Sequence, residues 1–131
     1  MTKLPRLDGW IVKGVAGRGG EDYAGDTDDI IKILAEGGIH VDYEDIGDHA
    51  YLLLKSADWW GPILVFTQVA LANGAGGVLA LAIWELIGRR SDTRLHIDVG
   101  SKQSEVEDVI WFRGDGRAED VIAALKEWKG E

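Results

Sequence analysis

The chain of 131 residues has no cysteine. That absence excludes a disulfide scaffold, thiolate catalysis and any thiolate zinc or iron–sulfur site. It agrees with a reducing compartment, and a cytoplasmic location is expected. The opening Met1-Thr2-Lys3-Leu4-Pro5-Arg6-Leu7-Asp8 has no apolar run behind its two basic residues, so no secretory signal is expected. Internal repeats and low-complexity stretches are missing, and one domain covering residues 1–131 is expected. Recognisable catalytic signatures are also missing. There is no Gly-x-Ser-x-Gly, no His-Glu-x-x-His and no paired-acid glycosidase context. Gly17-Arg18-Gly19-Gly20 follows a β-rich stretch, but no Gly-Lys-Ser/Thr comes after it and Asp22 stands where a third glycine would fall. Asp26-Thr27-Asp28-Asp29 lacks the glycine and distal glutamate of a calcium loop. No cofactor is expected, and the chain reads as a non-enzyme.

Apolar residues make up 46% and charged residues 28%, a globular balance long enough to form a core without cross-links. The net charge is −9, and it is unevenly placed. Residues 21–48 hold ten acids and one base, while the remaining acids and bases cancel. Such a sector repels nucleic-acid phosphates, so no nucleic-acid partner is expected. It suits solubility or a basic protein partner, for which Asp26, Asp28, Asp29, Asp42, Glu44 and Asp45 are the candidate contacts.

Periodicity predicts an α+β fold. Trp10–Ala16 reads as a strand, and the acids at 26–29 suit the start of a helix that Gly37-Gly38 stops. Ile39–Glu44 alternates apolar and polar, and residues 50–55 read as its hairpin partner. A second hairpin is expected over residues 95–113, followed by a helix with Val121, Leu125 and Trp128 on one face. The expected result is one mixed or antiparallel sheet of about five strands, ferredoxin-like in order. Two or three helices pack mainly on one face.

Gly61–Trp84 carries no charge over 24 residues. As one helix at ~1.5 Å per residue it would span about 36 Å, enough for a bilayer, with Trp59, Trp60 and Trp84 at its ends. A membrane-associated protein is therefore one alternative. Pro62 would sit in the first helical turn with Ser56 or Asp58 as cap. Gln68, Asn73 and the glycines at 74, 76 and 77 argue instead for shorter buried helices. Residues 78–84 are apolar all round, so one sheet cannot cover them. A second helix, a homo-oligomer or a protein partner must.

Within this region Val69-Ala70-Leu71, Gly76-Gly77-Val78-Leu79-Ala80-Leu81-Ala82, Trp84 and Arg89-Arg90-Ser91-Asp92 resemble the effector-associated constant component family of bacterial conflict systems. The resemblance covers residues 60–128. It implies a small non-catalytic component, an adaptor working beside a separate effector, and no catalytic residues to carry over.

Two His-x-Asp pairs, His40/Asp42 and His96/Asp98, lie on alternating strands, where period two puts each pair on one face. On neighbouring strands the four would suit a metal or acid–base chemistry. On separate strands they are the solvated side of a sheet. Trp59 and Trp60 are adjacent, so one of them is expected at a contact surface. An acidic inhibitor of a basic enzyme is the remaining alternative to the adaptor.

Overall fold

The computed structural model describes residues 7–45, 47, 49–52, 58–103 and 108–130. Three features expected from sequence fall wholly or partly outside them: the Ser56 cap, the 53–55 end of the strand expected over residues 50–55 and the Gly47-Asp48 turn. In chain order the elements are β1 (Gly9–Val15), β2 (Tyr23–Ala24), α1 (Thr27–Glu36), β3 (Val41–Tyr43), β4 (Tyr51–Leu52), β5 (Trp59–Thr67), α2 (Gln68–Ala72), α3 (Ala75–Leu86), β6 (Arg94–Lys102), β7 (Val109–Arg117) and α4 (Ala118–Glu127). They form one mixed seven-stranded sheet in the order β4-β2-β1-β5-β6-β7, with β3 also against β1. The α+β class holds, with more strands than the five expected. The ferredoxin-like order is not confirmed by these pairings.

The long uncharged segment is neither one helix nor a pair of them. Its first third is β5, which runs antiparallel to β1 and parallel to β6. Pro62, expected in a helical turn, sits in this strand beside a register irregularity between Trp60 and Ile63, where a missing N–H does least harm to the ladder. The helices begin only at Thr67, whose hydroxyl accepts from the Ala70 N–H at 3.1 Å. Among the described residues no helix is long and apolar enough to cross a membrane.

Among the described residues the hairpin expected over residues 39–55 does not form either. β3 lies parallel to β1, returned there by α1. β4 pairs with β2 instead. The second hairpin is present as an unbroken antiparallel ladder from Arg94↔Arg117 to Lys102↔Val109.

The core lies between the sheet and α1, α3 and α4. Ile11, Leu64, Phe66, Leu95, Ile97 and Val99 supply its floor, and Leu34, Leu79, Ile83 and Leu125 its roof. α3 is the central helix, flanked by α1 and α4. Its apolar circumference is thus largely covered within the chain, and Leu81 is its one large apolar side chain more than half exposed. Close approach to α4 depends on Gly76, where an added Cβ would lie 2.9 Å from the Leu125 carbonyl oxygen.

Candidate interaction surface

Period two sends the alternate residues of the central strands to the side without helices. Trp10 pairs with Val65 and Val12 with Ile63. Val65 then pairs with Gly100, and Gly100 with Trp111. These pairs mark one face across β1, β5, β6 and β7. On it lies an open cleft of about 590 Å³ lined by Trp10, Val12, Glu44, Val65, Lys102, Val109 and Trp111. Gly100 shapes the cleft, because a Cβ there would meet Val109 Cγ1 at 2.5 Å and the Trp111 ring at 3.2 Å. Without one, Trp111 lies across the neighbouring strand. Trp111 stays 46% exposed. Lys102 Nζ sits 5.4 Å from the centroid of the Trp10 ring, a cation–π distance.

Beside the cleft, the same face carries a polar cluster. His96 is buried beneath Trp60, ring on ring. Its Nε2 is 3.2 Å from Asp58 Oδ2 and its Nδ1 is 3.3 Å from Asp115 Oδ1. Asp115 also meets Arg94. Asp98, buried on the next open-face position, accepts from Arg113 Nε at 3.1 Å and from the Gly17 N–H at 3.4 Å. The glycine loop after β1 thus closes on a carboxylate of this chain, with Arg18 over Trp60 at 5.2 Å. Both nitrogens of His96 face carboxylates, and the cluster clasps the strands to the loop.

The two His-x-Asp pairs do not converge, because β1 and β5 stand between β3 and β6. His40 is exposed just before β3, and its backbone N–H donates to Asp8. Among the described residues no group of three or more His, Asp or Glu is placed to hold a metal.

The remaining candidates divide clearly. Trp59 points to the helix side and donates its indole N–H to Asp26 Oδ2 at 2.8 Å. Asp26 therefore bridges to β5 and does not cap α1 with its side chain. Trp60 faces the open side, so the adjacent pair splits across the sheet as alternation requires. Trp84 is half-buried in a shallow hollow with Glu119, Ile122, Ala123 and Lys126. Asp28 accepts from the Tyr43 and Tyr51 hydroxyls at 2.6 and 3.1 Å. Burial, and then the bond to Asp28, push the Tyr43 phenol well above its usual range. Asp45 meets Lys13 at 2.9 Å, and that bond lowers the Asp45 carboxyl and raises the Lys13 ammonium. Asp29, Asp42 and Glu44 are exposed.

The sequence reading missed Trp10, Lys102, Val109 and Trp111. A signal was available: β7 puts Val109 and Trp111 on the face shared by Arg113, Asp115 and Arg117, which the alternation marks as solvated.

The fold and this surface define an α+β chain with a one-sided helical layer and a tryptophan-bearing sheet face that no described helix covers. No family model, curated protein or solved structure matches the chain.

Proposed function

We propose that the chain is a non-catalytic protein-interaction module, an adaptor that docks a partner protein on the open face of its sheet. The observation that carries this reading is the cleft between Trp10 and Trp111. Two indoles, a valine floor, a lysine and a glutamate form a surface, open among the described residues, whose indoles are of the kind that concentrates binding energy at interfaces. Among the described residues the Lys102 ammonium meets the Trp10 ring and no carboxylate. The matching partner segment presents an apolar side chain next to an acid. The resemblance to the effector-associated family supports a partner of the effector kind, with a homo-oligomer as the other protein contact.

Calorimetric titration against the proteins of neighbouring genes tests this. Binding should weaken at least about tenfold in Trp111→Ala, the effect of losing an aromatic anchor. Undiminished binding by a folded Trp111→Ala removes the cleft from the reading, and no binding to any of them removes the adaptor.

A second reading, an acidic inhibitor of a basic enzyme, is favoured by the placement of β2, α1 and β3 at one side of the sheet. Asp29, Asp42 and Glu44 are its available contacts, since Asp26, Asp28 and Asp45 are engaged inside the chain. Neutralising the first three would abolish a salt-sensitive complex of that kind.

A further inference from the structure

β7 ends the sheet. In an antiparallel ladder, residues alternate between turning both backbone groups to one neighbour and turning both to the other. The Asp108 carbonyl accepts from Gln103 N–H at 3.1 Å, and the Ala118 N–H donates to Thr93 at 2.8 Å. These bonds bracket β7, and its register with β6 has no break. Even-numbered residues of β7 therefore turn inward. Val109, Trp111, Arg113, Asp115 and Arg117 turn their N–H and C=O outward, where no described residue meets them. Natural edges are usually short, bulged or covered, whereas this one is nine residues long and regular. Its Ile110 and Trp111 are adjacent exposed apolar side chains, 40% and 46% exposed.

We infer that β7 pairs antiparallel with β7 of a second copy of this chain, about a two-fold axis through Phe112. A second copy fits the charges of this edge. With Phe112 opposite itself, Trp111 lies opposite Arg113 of the second copy, and Arg113 opposite Trp111, so no like charges are directly opposed along Val109–Asp115. Shifting the axis to Arg113 sets two guanidinium groups directly opposite, a repulsive arrangement. The Phe112 register makes hydrogen-bonded pairs of Val109 with Asp115 and of Trp111 with Arg113. Counted from both strands that is about eight backbone bonds, two per pair. Long-range charge agrees. The acidic window occupies the β2, α1 and β3 side, while β7 is the opposite edge, so this dimer holds the two acidic sectors at its far ends. The joined sheet also places the two Trp10–Trp111 clefts on one continuous face. The inference goes beyond the adaptor reading and does not depend on it.

Sedimentation equilibrium on the purified chain alone is the first test, with a mass of twice 14.3 kDa expected. Trp111→Pro removes one outward N–H that the monomer does not use, so it should give a monomer with unchanged circular dichroism. The chain has no cysteine, so single cysteines report register without background. Phe112→Cys should oxidise to a covalent dimer, because opposed residues of a non-hydrogen-bonded pair lie ~4.5 Å apart at Cα. Trp111→Cys and Arg113→Cys, each displaced from its own copy, should not. A wild-type mass of one chain overturns the proposal. So does cross-linking at 111 or 113 in place of 112, or a folded Trp111→Pro that remains dimeric. Partner binding by a wild-type chain that sediments as a monomer would leave the adaptor reading standing while this one fell.

Discussion

The indole of Trp60 lies flat on the imidazole of His96, with ring centroids 3.8 Å apart and planes inclined by 10°. Asp58 and Asp115 hold the two imidazole nitrogens from either side. One side chain thus ties β5, β6 and β7 together on the face that has no helices. His96→Ala removes the stacked ring and leaves both carboxylates without this partner. A loss of about 2–4 kcal/mol is expected, in the range for a large buried side chain with polar contacts. His96→Phe keeps a ring under Trp60 and should lose less. Urea denaturation followed by tryptophan fluorescence measures both, and equal losses would show that stacking contributes nothing.

The Tyr23 hydroxyl is buried, and no described residue bonds to it. Burial also raises its phenol pKa. The ring itself is well placed, edge-on to Tyr43 at 4.7 Å. Tyr23→Phe should keep that packing and release an unmatched polar atom. Stability should rise by about 1 kcal/mol, the usual scale for an unsatisfied buried group. Thermal denaturation by circular dichroism reads the change, and a loss of similar size would mean the hydroxyl is bonded in solution.

These features were only partly legible in the sequence. β5 was hidden because it is central and apolar on both faces: Leu64 and Phe66 face the helices, while Ile63 and Val65 face the open side. Without polar alternation, an uncharged run looks helical. β2 and β4 are two residues each, too short for any period to show. The alternation of residues 39–44 marked a strand but not its neighbour. β3 pairs with β1, so His40 and His96 are separated by two strands. By contrast β6, β7 and α4 were readable, because each has one clean face and a turn or helix start at its boundary.

Alkaline pH should destabilise the fold through Tyr43. Its folded phenol pKa is raised by burial first and the Asp28 bond second. A raised pKa means the folded state keeps its proton where the unfolded chain loses it. The contribution is whole below the ordinary phenol value, about 10, and is lost as pH rises above it. The melting temperature should hold from neutral pH to about 9 and then fall. Tyr43→Phe should flatten that alkaline limb. An identical slope in the variant would exclude Tyr43 as the cause.

Gly76 and Gly77 are neighbours on α3 with opposite expected responses to alanine. At Gly76 an added methyl would sit 2.9 Å from the Leu125 carbonyl oxygen and 3.3 Å from that of Trp128. Both obstacles are backbone, so neither can rotate away, and α3 and α4 must separate. Gly76→Ala should cost about 1–3 kcal/mol, the range for overpacking a core contact. At Gly77 the same methyl meets nothing within 4 Å. There alanine only reduces the backbone entropy lost on folding, and Gly77→Ala should stabilise by up to about 1 kcal/mol. Because the two positions share one helix and one chemical change, the difference in sign isolates the helix contact from helix propensity. Parallel urea titrations decide it: equal shifts in the same direction would mean that the α3–α4 approach is not set by Gly76.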